Sequence, residues 1–206
     1  MTSIDSTTPQ VFGLVLAAGR SRRFAGDKRR ALLPCGRSLL QASVEHAQAA
    51  FPQIWVVLRG DDDDAQALGL SPAVQIVRCA DADLGMGLSL ACGIRALQDS
   101  AASAAAVLLA DMPWIKPDTL RQLASMADPR RIALPVHAGQ RGHPVIIGRN
   151  FWPELITLQG DQGAKAVIAA NQHHCEVLQT EDAGVLKDAD TRQALAQACH
   201  EPHRSA

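Results

Sequence analysis

The stretch Val11-Phe12-Gly13-Leu14-Val15-Leu16-Ala17-Ala18-Gly19-Arg20-Ser21-Arg22-Arg23-Phe24-Ala25-Gly26-Asp27-Lys28 decides how this chain is read. Val11 to Leu16 is an apolar run with the length and flanks of a buried strand. The small residues after it, Ala17, Ala18 and Gly19, let the backbone turn tightly and present bare N–H groups to an anion. Arg22, Arg23 and Lys28 add two guanidinium forks and a point charge, a combination suited to a triphosphate. The spacing is not that of a P-loop, because no Gly-Lys-Ser/Thr closes it. Nor is it G-x-G-x-x-G, since Gly19 and Gly26 lie too far apart, which argues against a Rossmann-type oxidoreductase binding NAD or flavin.

Working outward, strand-like and helix-like runs alternate, the pattern of a parallel sheet covered by helices. Strands are expected over 11–18, 54–58, 74–77, 106–110, 131–136, 143–147 and 175–180. Helices are expected over 37–50, 87–98, 117–127, 151–158, 163–171 and 191–199. Ser100–Ala106 reads as a helix end and loop. Asp61–Asp64 reads as a solvated loop opening a short helix, where negative charge suits the dipole. The paired His173 and His174, and His200 and His203, read as surface residues.

Further constellations carry chemistry. Val107-Leu108-Leu109-Ala110-Asp111-Met112-Pro113 is a buried strand ending in a carboxylate, and open α/β sheets bind ligands at that edge. Asp111 suits Mg²⁺, which takes few protein oxygens beside substrate phosphates; the alternative reading is a cap of the next helix. In Lys187-Asp188-Ala189-Asp190-Thr191 the two carboxylates alternate, so an extended segment points both the same way. Asp190 also reads as a cap of the last helix. Gly85 and Gly87 lead into a helix whose N-terminus offers free N–H groups. Arg141, His143 and Lys165 are suited to an anionic acceptor phosphate, while His143 reads equally as a hairpin residue satisfied by backbone.

These segments, in order, resemble the MobA-like nucleotidyltransferases, a group that includes molybdenum cofactor cytidylyltransferases and guanylyltransferases. Leu16, Ala17, Ala18, Gly19, Ser21, Arg23 and Lys28 match the signature L-A-A-G-x-S-x-R-M-G-x-x-K. Phe24 replaces its Met, and Ala25 stands where Gly is usual, with Gly26 one place later. Asp111 matches the D-x-P metal turn. Asp190 matches the second ligand of D-x-D-T-P-E-D, with Arg192 and Gln193 in place of Pro and Glu. Asp83 to Leu90 resembles the G-M-x-x-S-L turn that approaches the nucleotide. Arg141 to Pro144 matches R-G-H-P, and Gly160 to Lys165 matches G-D-x-G-A-R with Lys for Arg.

The resemblance implies a three-layer α/β/α nucleotidyltransferase, Rossmann-like, with a mostly parallel mixed sheet. It implies catalysis by Arg23, Lys28 and Asp111. Nucleotide binding would fall to Leu16, Ala17, Ala18, Gly19, Ser21, Arg23, Lys28, Gly85, Met86, Ser89 and Asp111. Acceptor binding would fall to Arg141, His143, Asp161 and Lys165, and Mg²⁺ (alternatively Mn²⁺) to Asp111 and Asp190. Guanylyltransferases of the group usually carry Gly where this chain has Ala18. CTP and a molybdopterin-type acceptor are therefore the expected substrates, with GTP or a sugar phosphate as alternatives. A molybdoenzyme or its insertion chaperone is the partner implied. A non-catalytic cofactor carrier is the reading from another class, and Asp111 and Lys28, which it would not need, argue against it.

Composition agrees with one such domain. The chain has 206 residues, enough for a single sizeable core, and a net charge of −1. Residues 11–200 are expected to form it, with 1–10 a flexible start and 201–206 a tail. Without a basic stripe, and with Tyr absent, there is little for nucleic acid to bind. No run is long enough for a membrane span and no signal peptide is visible. Five scattered cysteines without C-x-x-C read as reduced thiols, and the expected location is cytoplasmic.

Overall fold

Strand β1 (Val11–Leu16) sets the layers by its alternation: Val11 and Val15 enter one buried cluster, Phe12 and Leu14 the other. Such two-faced burial is the mark of a central strand in an α/β sheet. The computed structural model describes residues 10–21, 24 and 26–200. After β1 the chain runs through α1 (Leu39–Gln48), β2 (Ile54–Arg59), β3 (Gln75–Cys79), α2 (Met86–Leu97), β4 (Ala104–Leu109) and α3 (Pro117–Ser125). It continues through β5 (Ile132–His137), β6 (Gln140–Arg141), β7 (Val145–Gly148), α4 (Trp152–Leu155), α5 (Lys165–Ala170), β8 (Cys175–Gln179) and α6 (Arg192–His200).

The strands form one sheet in the order β3-β2-β1-β4-β7-β5-β6, with β8 pairing alongside β5. β7 runs antiparallel to both β4 and β5, and β6 antiparallel to β5; the other pairings are parallel. Leu40, Val44 and Ala47 of α1 and Leu120 and Leu123 of α3 pack on one face. Leu90, Ile94 and Leu97 of α2, Trp152 and Leu155 of α4 and Val167 of α5 pack on the other. The three-layer α/β/α architecture and mixed sheet are those expected from the sequence. Among the described residues no helix is long and apolar enough to cross a membrane.

Local chemistry explains the element ends. Ser38 caps α1 with a reciprocal box: Gln41 N donates to Ser38 Oγ at 3.2 Å and Ser38 N to Gln41 Oε1 at 2.8 Å. The helix therefore starts two residues later than the expected 37. Pro117 occupies the first turn of α3, where its missing N–H costs nothing.

Two expectations are corrected, and one short strand lies outside those expected from the sequence. Ala104–Ala106, read as loop, are the fully buried start of β4, paired to β1 on one side and β7 on the other. Alanine favours helices in isolation, but this position in mid-sheet overrides propensity. Asp61–Asp64 form no helix; the helical turn comes later, at Gln66–Leu68. β6 is a two-residue hairpin strand beyond Ala138 and Gly139, both at positive φ, and is too short to show a period in sequence.

One buried carboxylate ties the last third of the chain to this sheet. Asp182 accepts from Lys116 N and Thr119 Oγ1, both at 2.8 Å, and from Gly184 N at 2.9 Å. It thus caps α3 from a distance while fixing its own turn, Ala183–Leu186. Replacing it leaves two buried donors and one partly buried donor unpaired. Asp182→Ala is expected to lose about 2–4 kcal/mol of stability and roughly 5–12 °C in melting temperature, measured by thermal and urea unfolding. Asp182→Asn should recover part of that loss.

Candidate active site

β1 and β4 end side by side, with Leu16 opposite Leu109, and the chain beyond each leads onto the carboxyl edge of the sheet. β2 lies on the other flank of β1, so this is a point where connections diverge and a crevice opens. Ala17 N donates to Val57 O at 2.9 Å and Ala110 N to Leu16 O at 3.2 Å, locking the start of both loops.

The loop after β1 then turns on itself. Ser21 adopts a φ of 52°, its carbonyl accepts from Phe24 N at 2.9 Å, and its hydroxyl accepts from Lys28 N at 3.3 Å. Ser21 thus closes the loop onto the turn that carries Lys28. Phe24, where the family signature has Met, is buried, and the Arg192 guanidinium stands 5.8 Å from its ring centroid. Arg23, expected to be catalytic, lies outside the described residues.

Lys28 is the meeting point of the two expected metal ligands. Its Nζ lies 2.5 Å from Asp111 Oδ2 and 3.1 Å from Asp190 Oδ1. The three side chains are only 19%, 12% and 31% exposed, so the charges meet in a partly dry site. Burial works against the Lys28 ammonium, but the two carboxylates more than offset it and hold its pKa above the ordinary lysine value. Asp190 is brought there by backbone: Ala189 is fully buried and its N–H donates to Asp111 O at 3.1 Å. Thr191 caps α6, its Oγ1 accepting from Ala194 N at 3.0 Å. Asp188 is exposed, and partial desolvation together with the Asp190 and Asp111 charges pushes its carboxyl up.

Two carboxylates within reach of one cation form a donor set that fits Mg²⁺, which keeps its waters and takes few protein oxygens. No group of three or more His, Cys, Asp or Glu side chains suited to a metal occurs among the described residues. A metal held by Asp111 and Asp190 would fill its shell with water and phosphate oxygens.

The remaining expected residues sort into several places. Ala17 and Ala18 are buried, and Ala18 belongs to the apolar cluster under α2. Gly85, at a φ of 131°, makes a close backbone contact: a Cβ there would stand 2.3 Å from the carbonyl carbon and oxygen of Gly160. Gly87 N donates to Gly160 O at 2.7 Å, so one of the free donors of α2 is taken by protein. Met86 is half-exposed and lies against Gly163, while Ser89 is buried. The Gly85–Ser89 turn and the Gly160–Lys165 loop, which sequence treats as separate motifs, are therefore one packed unit.

Asp161, Lys165 and Arg141 are exposed. His143 is partly buried, within electrostatic reach of Asp111 and Lys165, with its backbone N–H donating to Val185 O at 2.9 Å. Burial pushes its imidazole pKa down, against the pull of the Val107 carbonyl and the Asp111 charge, so it is neutral near pH 7. Its Nδ1 is buried and meets no acceptor or donor among the described residues.

Sequence reasoning missed a buried ionic cluster behind the loop. Asp62 is not solvated: its side chain is 2% exposed and faces Arg29, which is 3% exposed. Arg29 donates to Asp62 at 2.6 and 2.7 Å, to Asp27 at 2.7 and 2.8 Å, and to Ala17 O at 2.8 Å. Arg59 NH2 reaches Asp62 at 2.6 Å and its NH1 reaches Gly19 O at 3.2 Å. Burial opposes the ionised forms of Asp27 and Asp62, yet the Arg29 hydrogen bonds and charge prevail and hold both carboxyls below the usual range. The run of four aspartates beside an arginine-rich turn was the available signal. At the cleft's rim, Arg20 makes a two-pronged pair with Asp83, both contacts 2.5 Å, and reaches Asp61 at 3.2 Å.

Comparison with known proteins places this geometry. The Purine catabolism protein PucB of Bacillus subtilis is 30% identical over 193 residues, 89% of this chain and 93% of that protein. Nicotine blue oxidoreductase of Paenarthrobacter nicotinovorans is 29% identical, covering 91% of this chain and 95% of that one. A probable molybdenum cofactor guanylyltransferase of Chloroflexus aggregans is 39% identical over 117 residues, 54% of this chain and 51% of that protein. Among solved structures, Rv0371c from Mycobacterium tuberculosis superposes with a TM-score of 0.83 at 28% identity, covering 95% of this chain and all of that one. It has also been solved in complex with manganese. The profile of the MobA-like NTP transferase domain matches residues 13–176, a span running from β1 through Asp111 and His143 into β8. With its loop, carboxylates and sheet edge so arranged, the chain belongs to the MobA-like NTP transferase family.

Proposed function

We propose that this protein transfers a nucleoside monophosphate, CMP from CTP, to the phosphate of a molybdopterin-type cofactor and releases pyrophosphate. The observation that carries the reading is the convergence of Lys28, Asp111 and Asp190 at the end of β1 and β4, in front of an N–H-bearing loop. Support for a molybdopterin acceptor comes from the guanylyltransferase relative and from the R-G-H-P and G-D-x-G-A-R resemblance. Support for CTP comes from the signature alone, because the Ala18 methyl lies in the core and gives no direct steric account of base choice.

The chemistry follows from charge. An acceptor phosphate is ionised near neutral pH, so its oxygen attacks the α-phosphorus without a general base. The bond to the bridging oxygen breaks, and pyrophosphate leaves with the electron pair. Asp111 and Asp190 would hold Mg²⁺ or Mn²⁺; when bound, such an ion neutralises phosphate charge. Lys28 and Arg23 stabilise the growing charge on the leaving group. Neutral His143, within electrostatic reach of Asp111, offers a hydrogen bond to the acceptor without adding a second positive charge, and Arg141, Asp161 and Lys165 bind the acceptor from the rim. Leu16, Gly19, Ser21, Gly85, Met86 and Ser89 complete the nucleotide side.

The deciding assay incubates the protein with each NTP, Mg²⁺ and molybdenum cofactor, and measures pyrophosphate release and the mass of the product. CTP is expected to be used in preference to GTP. A preference for GTP would overturn the cytidylyl assignment, and turnover of a sugar phosphate alone would overturn the acceptor. Asp111→Asn should lower kcat/KM by roughly 100-fold or more with an unchanged melting temperature. Lys28→Ala should raise the NTP KM and lower kcat together, about 100-fold in kcat/KM. His143→Ala should raise the acceptor KM about tenfold while leaving the NTP KM alone. Steady-state kinetics with each substrate varied separately reads all three.

A further inference from the structure

Arg29 and Asp62 form the densely bonded centre of the ionic cluster behind the loop, while the buried Nε of Arg59 meets no hydrogen-bond partner among the described residues. Arg29 spends all five of its N–H donors on Asp27, Asp62 and the Ala17 carbonyl. Asp62 accepts from both terminal nitrogens of Arg29 and from the Arg59 backbone N–H at 2.8 Å, and forms an ion pair with Arg59 Nη2 at 2.6 Å. Three donors and that ion pair surround one carboxylate. Two of the cluster's outputs go to the loop itself: Arg29 holds Ala17 O at 2.8 Å and Arg59 holds Gly19 O at 3.2 Å.

Those two contacts fix more than two oxygens. A peptide unit is planar and trans, so its C=O and the following N–H point in opposite directions. Holding Ala17 O toward the cluster turns the Ala18 N–H away from it. Holding Gly19 O does the same for the Arg20 N–H. Neither N–H meets an acceptor among the described residues. With Gly19 between them, nothing in the local sequence would otherwise keep these peptide planes from flipping.

We infer that Asp62 is a positioning residue for the nucleotide: through Arg29 and Arg59 it sets the polarity of the Ala17–Arg20 backbone, so that the Ala18 and Arg20 N–H groups face the triphosphate. The inference rests on the reading of this loop as the triphosphate site. Asp62 touches no substrate and acts through the two arginines. A neutral amide at its place turns donors against guanidinium donors, and the carbonyls lose their hold. A structural role alone would lower stability without separating the substrates. The positioning role predicts that NTP binding suffers while acceptor binding does not. It also predicts equal losses for different bases, because the N–H groups face phosphate.

The test measures binding of CTP, GTP and inorganic tripolyphosphate, each with Mg²⁺, by calorimetry to the full chain and to Asp62→Asn. About a tenfold or greater loss is expected for all three ligands in the variant, with the acceptor KM unchanged. Arg59→Met provides the second variant. It releases Gly19 O and the Arg59 ion pair with Asp62 but leaves the Arg29 pairs with Asp27 and Asp62 in place, so its fold is retained even where Asp62→Asn fails to fold. Its expected loss is about three- to tenfold. Wild-type affinity in a folded Asp62→Asn, or in Arg59→Met, would overturn the inference, as would a loss confined to one base. A wild-type protein that binds none of the three ligands would overturn the triphosphate reading itself. In that case the amide NMR resonances of Ala18 and Arg20 still decide the backbone claim: they should shift in both variants, and unchanged resonances would overturn it.

Discussion

The parallel pairing of β1 with β4 is the constraint on which the rest of the molecule depends. It runs without interruption from Val11 opposite Ala104 to Leu16 opposite Leu109. A one-residue slip would exchange the two faces of a strand that is buried on both, so the register is tightly set. Because both strands end level, the loop after Leu16 and the carboxylate of Asp111 come out at the same height on the sheet edge. Three alanines at the start of β4 allow its neighbours and the covering helices to come close there. Packing density at the centre of the sheet thereby becomes precision at its rim.

The site is then assembled from segments remote in sequence but short of freedom. Asp182 clamps its turn to α3, Ala189 N is held by the Asp111 carbonyl, and Asp190 is delivered to Lys28. From the other side, Ser21 and the Arg29 cluster hold the turn that begins at Lys28. Neither carboxylate therefore depends on a free loop for its position. Fixed charges in a partly dry crevice act on a phosphate more strongly than the same charges in water, because little reorganisation is needed when they meet it.

Much of this was legible in the sequence, and the residues show why. The apolar run Val11–Leu16, the Leu-Ala-Ala-Gly turn and the Asp111 strand end carry their own periods and punctuation, so fold and edge could be read directly. Asp190 over Asp188 could be preferred by its neighbour Thr191. What could not be read was the partnership of charges. Asp62 lies in a run of four aspartates, and nothing local distinguishes the one that is buried from the three that are not. Burial is decided by Arg29, thirty-three positions away, and that distance is invisible to any window. The contact of Gly85 with Gly160 escaped for the same reason: each glycine signals a tight approach, but not to what.

The reach of Asp190 to Lys28 spans 162 positions, almost the length of the domain. Contacts of that separation are the last to repay the entropy of closing the chain. The loop and Asp111 come from the first two thirds of the chain, whereas the second carboxylate comes only with the segment that the turn at Asp182 docks. Without that segment Lys28 would face Asp111 alone, one negative charge fewer than in the folded chain. Closure of the Lys28–Asp111–Asp190 cluster is thus set by the longest-range contact at this edge of the sheet. It reports on the docking of the final segment, so damage near the chain's end would be felt at its beginning.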